Sequence, residues 1–263
     1  MKVAIIGAGS LGQSIAKGLL KNKVVSSLYL TRRNVEFIKE FNGHKAVTLT
    51  SDNEEAVKNS DIILFAVQPR HLKDILENLK YKLDKEQVLI SVITGFSLGK
   101  IENIIGGKHF IIRAMPNTAA SVGQSMTCFS TNIKGKEKVE LVKTIFDSLG
   151  RSMVIPEDQL QAATVVCASG IAFWMRLIRA TTQGAIQLGF EAHEAHELAM
   201  QTCFGAATLL KDSGNHPEVE IDRVTTPGGC TIEGLNEMEH QGLSSSLIKG
   251  INVSFEKINQ IKN

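Results

Sequence analysis

The chain has 263 residues, room for two domains of ordinary size that each bury a core. Its 29 lysines and arginines nearly balance 27 aspartates and glutamates, and a net charge of +2 excludes an electrostatic grip on nucleic acid or an anionic membrane and favours a small-molecule partner. The four cysteines, Cys128, Cys167, Cys203 and Cys230, fall at no zinc or disulfide-framework spacing, so they read as reduced thiols of a cytoplasmic protein in which no metal site is expected.

No signal peptide is read at the start, since Met1 and Lys2 are followed by only a few apolar residues before Gly7. Short β-rich runs at 2–6, 27–30, 61–67, 88–92 and 109–113 alternate with amphipathic segments such as 10–21 and 71–79. That alternation predicts an α/β domain with a mostly parallel sheet covered by helices. A strand at 125–130, a lysine-rich helix at 135–149 and a strand at 151–155 complete the layer, and Pro156 closes it, giving a first domain over 1–156.

From 157 to 263 the strand signals vanish and helical patterns take over at 159–188, 192–211, 219–224, 231–240 and 243–261, so the second domain is predicted all-α. The uncharged run 159–175 is shorter than the ~20 residues that span a bilayer, which argues against a membrane. Around 162–174 that helix is apolar on nearly every face, and burial against a second copy of the chain supplies the surface one small domain lacks. His193, His196 and Glu197 share neighbouring turns but read as a solvated helix start, and His216-Pro217 as a turn before a short helix.

Two glycine-rich loops carry the chemistry. Gly7-Ala8-Gly9-Ser10-Leu11-Gly12 lies directly between a hydrophobic strand ending at Ile6 and an amphipathic helix, the context in which this spacing binds a dinucleotide. Gly7 permits the turn, Gly9 lets a pyrophosphate approach the backbone, and Gly12 lets helix and strand pack. After the next strand stands Thr31-Arg32-Arg33-Asn34 where an acidic residue would hold the ribose hydroxyls of NADH, and the two guanidinium groups suit a 2′-phosphate. NADPH is therefore the expected cofactor, with NADH a lesser one. Ala66-Val67-Gln68-Pro69 and Val92-Ile93-Thr94-Gly95 close strands at their carboxyl ends, where open α/β sheets bind ligands, and are read as bordering the nicotinamide half.

The second loop is Val224-Thr225-Thr226-Pro227-Gly228-Gly229-Cys230-Thr231. Backbone N–H groups at Gly228, Gly229, Cys230 and Thr231, opening a helix, suit a small carboxylate, and the Thr231 hydroxyl suits a ring nitrogen. Cys230 reads as a packing residue, having no histidine base nearby in sequence. Arg113-Ala114-Met115-Pro116-Asn117-Thr118 adds a proline turn that aims the Asn117 amide at a ligand.

Taken with the first loop, the Ala-Val-Gln-Pro segment and the helical second half, these motifs resemble pyrroline-5-carboxylate reductase along the whole chain. The resemblance implies a Rossmann domain joined to a helical domain that intertwines with its partner in a homodimer, five such dimers forming a decamer in some members. It implies NAD(P)H-dependent reduction of 1-pyrroline-5-carboxylate to L-proline, the last step of proline biosynthesis. It also implies cofactor contacts from Ile6 through Gly12, Asn53, Ala66, Val67, Gln68, Pro69, Val92, Ile93 and Thr94. Substrate contacts fall to Asn117, Thr226, Gly228, Gly229, Cys230 and Thr231, with Thr231 catalytic.

The chain departs from the family pattern at Ala168-Ser169-Gly170-Ile171-Ala172-Phe173, where Gly-Ser-Gly-Pro-Ala-Tyr is usual; losing the proline predicts a straighter helix and losing the tyrosine removes a hydroxyl. Ala119 replaces a proline, Thr226 a serine and Cys230 a threonine. Rival readings are a β-hydroxyacid dehydrogenase, which needs a lysine absent from 152–210, a reductase of another small cyclic imine, and a non-catalytic NADPH-binding regulatory relative.

Overall fold

A computed structural model describes residues 1–260. Eight strands, β1 (Lys2–Ile6), β2 (Ser27–Thr31), β3 (Val47–Thr50), β4 (Ile62–Phe65), β5 (Val88–Ser91), β6 (Phe110–Met115), β7 (Ser125–Thr131) and β8 (Gly150–Val154), form one sheet in the order β3-β2-β1-β4-β5-β6-β7-β8. Pairing is parallel except between β6 and β7. The mostly parallel Rossmann-type sheet agrees with the sequence reading; β3 is an addition to it.

Successive side chains of a strand point to opposite faces, and both faces here are buried, which is why β1, β4 and β5 are near-continuous apolar runs. On one face Val3, Ile5, Leu28 and Leu30 pack under Ile15 and Leu19 of α1 (Ser10–Lys21) and under Val142 and Phe146 of α5 (Val139–Asp147). On the other, Ala4, Ile6, Ile63 and Phe65 meet Val57 of α2 (Asn53–Lys58), Leu72 and Leu76 of α3 (Pro69–Leu79) and Ile101 of α4 (Leu98–Ile105). Each buried aliphatic side chain contributes about 1.5–3 kcal/mol. Because β1 lies between β2 and β4, the chain reverses its direction of sheet growth there, and the carboxyl ends of these strands open a crevice.

Arg113 of β6, 4% exposed at its side chain, pairs through Nη1 with Glu157 Oε1 at 2.7 Å. The same oxygen accepts from Leu98 N at 2.7 Å, so one carboxylate ties the start of α4 to the sheet.

Cα packing divides the described residues into two compact units, residues 1–169 with 254–260, and residues 170–253. The first unit ends in α6 (Leu160–Ala163) and a π-helical turn, Thr164–Ser169. Ile171, where the family has proline, stands in regular α-helix from Gly170 onward, and the distortion falls before it in the π turn, whose Cys167 carbonyl accepts from Asn117 Nδ2 at 2.9 Å.

The second unit holds α7 (Gly170–Gln187), α8 (Ala192–Ser213), α9 (Pro217–Val224), α10 (Cys230–His240) and most of α11 (Leu243–Asn259). The end of the predicted last helix at Ile261 lies outside the described residues. A capping box between Glu191 and Glu194 starts α8, Gly214 at φ +65° ends it, and His216 caps α9 through Nδ1. Only small side chains are buried along α7 and α8, namely Thr182, Ala195 and Ala199. Trp174, Phe204 and Leu209 are each about 60% exposed, so one copy of this unit has no apolar core of its own.

The helical stretch Glu157–Gln187 is 31 residues long and by length and composition is apolar enough to cross a membrane, with 17% of its most apolar window buried within the chain. It outruns the uncharged run 159–175 because Arg176 and Arg179 interrupt the run without ending the helix.

A Cβ at Gly18 of α1 would meet the Ala120 carbonyl oxygen and Leu149 Cδ2. Gly18→Ala gains about 1 kcal/mol of helix propensity and loses about 3 kcal/mol to overpacking against backbone. The variant should therefore unfold several degrees below wild type in a thermal melt followed by circular dichroism.

Candidate functional site

At the crevice the chain turns from β1 into α1 through Gly7, whose φ of +94° suits only glycine. A side chain there would run into Val67 Cγ1 and come within 3.0 Å of Val67 N, so the turn sits directly on the end of β4. Gly12 is held by the same crowding, with Gly7 O at 2.9 Å and Ile5 Cγ2 at 3.2 Å from where its Cβ would be. Gly9 differs: nothing lies within 4 Å of the position its Cβ would take. Gly9 also caps α1 with no side-chain hydrogen bond, and the first turn carries no acidic residue. Free N–H groups and open space beside a helix N-terminus are what a pyrophosphate requires.

The turn is anchored from the β2 side. Gly7 N and Ala8 N donate to Thr31 O at 3.2 and 2.8 Å, and Gly7 N also reaches Thr31 Oγ1 at 3.3 Å. Thr31 Oγ1 donates in turn to Asn53 Oδ1 at 2.7 Å, fixing the first residue of α2. These groups border a cavity of about 500 Å³, large enough for the adenosine half of a dinucleotide.

Of the residues singled out from sequence, Ile6, Gly7, Gly9, Arg32, Arg33, Asn53, Ala66, Val67 and Gln68 line this cavity. Ala8 is fully buried beneath the turn, Gly12 is buried in the packing, and Ser10 and Leu11 start α1 outside the lining. Pro69 lines a neighbouring cavity of about 360 Å³. Val92 and Ile93 are buried, and neither they nor Thr94 reach the lining of either cavity. Arg32 Nη1 donates to Ala8 O at 3.2 Å while its guanidinium lies 4.6 Å from the Phe37 ring centroid, bracing the glycine turn. Three arginines and His71 line the cavity, and no aspartate or glutamate does, which fits a phosphorylated dinucleotide.

Sequence reading missed Thr31, Asn34, Phe37, Ser51, Arg70, His71 and Ile75 of the lining. Phe37 belongs to a 3-10 helix, Val35–Phe41, too short to read from periodicity. Thr31 and Asn34 flank the arginine pair, and their position after a strand was the available signal.

Asn117 is engaged on every side: its N–H donates to Ser125 Oγ at 3.0 Å, its Oδ1 accepts from Ala119 N at 2.9 Å, and its Nδ2 holds Cys167 O. This buries it in the structure that shapes the π turn. Nearby, burial pushes the Cys128 thiol up to about 11, helped by its contact with Cys167, and burial raises Cys167 as well, so both stay protonated at neutral pH.

The second glycine loop belongs to the helical unit. Gly229 N donates to Thr226 O at 3.0 Å across Pro227 and Gly228, and Gly228 takes the left-handed position at φ +66°. A Cβ at Gly229 would strike Thr226 Oγ1. Gly229 is the N-cap of α10 and supplies no side-chain bond; Thr231 stands in the first turn, not at the cap, half-buried and with no hydroxyl partner among the described residues. Cys230 is exposed.

Residues 157–261 match the family model described as pyrroline-5-carboxylate reductase dimerisation, and residues 2–95 match one described as NADP oxidoreductase, coenzyme F420-dependent. The chain is 44% identical over 97% of its length to pyrroline-5-carboxylate reductase 1 of Dictyostelium discoideum, of which it spans about half, 49%. It is 38% identical to pyrroline-5-carboxylate reductase 2 of the same organism, covering 97% of this chain and 91% of that one. The pyrroline carboxylate reductase of Plasmodium falciparum, solved with NADP bound, superposes with a TM-score of 0.89 at 25% identity, covering 98% of this chain and 97% of that one.

The contrast between two glycines is testable. Gly9→Ala should change stability by less than about 1 kcal/mol yet weaken NADPH binding severely in a fluorescence titration. Gly7→Ala should instead lower the melting temperature, because its backbone conformation and the Val67 contact both resist a side chain.

Proposed function

The chain belongs to the pyrroline-5-carboxylate reductase family, and from that premise we propose that it reduces 1-pyrroline-5-carboxylate to L-proline with NADPH, the last step of proline biosynthesis. The observation that carries this reading is a cavity at the β1 turn lined by three arginines and no carboxylate. When bound there, NADPH supplies the hydride for the carbon of a C=N bond.

In this reading Ile6, Gly7, Ala8, Gly9, Ser10, Leu11 and Gly12 form the turn and helix start that hold the pyrophosphate. Arg32 and Arg33 form the phosphate side of the cradle, Arg33 reaching the 2′-phosphate and Arg32 bracing the glycine turn beside it, and NADH uses the same cradle without the phosphate contact. Asn53 and residues 66–69 border the ribose, and Val92, Ile93 and Thr94 the nicotinamide half. The fit rests on the open space at Gly9 and the uncapped start of α1.

Substrate recognition falls to the second loop. Gly228, Gly229 and Cys230 offer backbone N–H groups to the carboxylate at the start of α10, Thr226 keeps the turn in shape, and the Thr231 hydroxyl holds the ring nitrogen. That hydroxyl has no hydrogen-bond partner among the described residues, which leaves it available for that role. Asn117 contributes through the π turn it secures. Residues 1–156 then serve the dinucleotide, and 157–263 the substrate and the subunit interface.

The bare apolar surface of the helical unit and the dimerisation match support a homodimer, and a decamer of five such dimers is proposed on the family resemblance alone. We assign the stretch Glu157–Gln187 to that interface, not to a bilayer, and place the protein in the cytoplasm, where free cysteines such as Cys230 stay reduced. Neither nucleic acid nor membrane is a partner in this reading.

The direct test is oxidation of NADPH on addition of 1-pyrroline-5-carboxylate, with proline as product; cofactor binding without turnover would overturn the assignment. Thr231→Ala should lower kcat about a hundredfold, the cost of losing one well-placed donor, while the Kd for NADPH stays near wild type. An equal loss in both would remove Thr231 from the substrate side. Replacing Arg32 and Arg33 together with alanine should raise KM for NADPH about tenfold more than KM for NADH, measured in parallel steady-state assays.

A further inference from the structure

The cavity carries more positive charge than the arginine pair after β2 provides. A third guanidinium, Arg70, enters its lining from the first turn of α3. The three arginines are not equivalent. Arg32 is already committed, donating to Ala8 O and lying over Phe37. Arg33 and Arg70 are exposed, and neither has a hydrogen-bond or ion-pair partner among the described residues.

The nearby carboxylates do not neutralise them. Asp52 accepts from Glu54 N and Glu55 N, and Glu55 accepts from Thr50 Oγ1, so both serve the local backbone and β3. Asp74 stands one helical turn after Arg70 and lines the adjoining smaller cavity with it, yet the two form no ion pair. Two unpaired guanidinium groups on one cavity, with acidic groups turned elsewhere, describe a receptor for a multiply charged anion. The helix start beneath Arg70 adds to this: Gln68 caps α3 with no side-chain bond, and no acidic residue occupies its first turn.

We propose that Arg70 is a further specificity-determining residue, gripping the 2′-phosphate of NADPH from the α3 side while Arg33 grips it from the β2 side. Arg32 then acts as the fixed brace of the glycine turn. A phosphate dianion offers three oxygens beyond its ester link, enough to accept from both forks at once. Discrimination between NADPH and NADH is thus shared between two sequence segments that lie 37 positions apart, Arg33 and Arg70.

The inference rests on the NADPH reading above, and its test is a binding measurement that needs no turnover. Arg70→Met keeps the aliphatic stem and removes the charge. In fluorescence titrations of the intact protein, the variant should bind NADPH about tenfold more weakly and NADH within about twofold of wild type. Displacement of NADPH by 2′-AMP should weaken in parallel, and Arg70→Lys should recover part of the loss. Equal weakening toward NADPH and NADH would show that Arg70 only positions α3, and unchanged NADPH binding would show that it is a bystander; either result overturns the proposal. If wild type binds NADPH and fails to oxidise it with 1-pyrroline-5-carboxylate, the reductase reading fails while this comparison still decides the role of Arg70.

Discussion

The contact on which the rest of the molecule depends is the seating of the β1 turn on the end of β4. Gly7 and Gly12 are both crowded, the first by Val67 and the second by Gly7 O and Ile5. That crowding fixes where α1 begins, and Gly18 fixes how the helix lies by admitting the Ala120 carbonyl. With those three positions closed by packing, Gly9 alone is left open, and the free space beside the helix start becomes a definite place for an anion. The Thr31–Asn53 hydrogen bond extends the constraint to α2 and so to the far wall of the cavity.

The reach of the sequence follows from the same physics. Strands buried on both faces announce themselves as apolar runs, as at β1, β4 and β5, and the glycine loop was legible because its strand and helix neighbours were. The edge strand β3 was not: its four residues are only partly buried or exposed, so no apolar run marks them. Phe37 and Arg70 eluded the reading for different reasons. Phe37 sits 65% exposed on a 3-10 helix with no usable period, and its value comes from the arginine it faces. A single arginine in the first turn of a helix looks like any solvated residue until the cavity beside it is seen.

The helical unit shows the reverse case, in which composition exposed an unmet need. An all-round apolar helix predicted a partner, and the structure of one copy has small residues along α7 and α8 with Trp174, Met175 and Phe204 left bare. Apolar area of that extent is unstable in water, and the same residues match a family model described as dimerisation, which supports oligomerisation. The helix deviates at Thr164–Ser169, ahead of the position where proline was lost. Proline is one way to divert a helix, and here Asn117 meets a carbonyl in the diverted turn instead, a long-range hydrogen bond that no local pattern encodes.

The choice of a neutral hydroxyl at position 231 has its own logic. Reduction of a cyclic imine leaves an amine, so the ring nitrogen passes between a form that accepts a hydrogen bond and forms that donate one. A hydroxyl does both by rotating, whereas an ammonium only donates and a carboxylate only accepts when ionised. In the proposed reading Thr231 meets that need from the first turn of a helix whose cap residue carries no side chain. Glycine at 229 keeps the helix start from being capped internally, and Thr226, packed against it, keeps the turn closed.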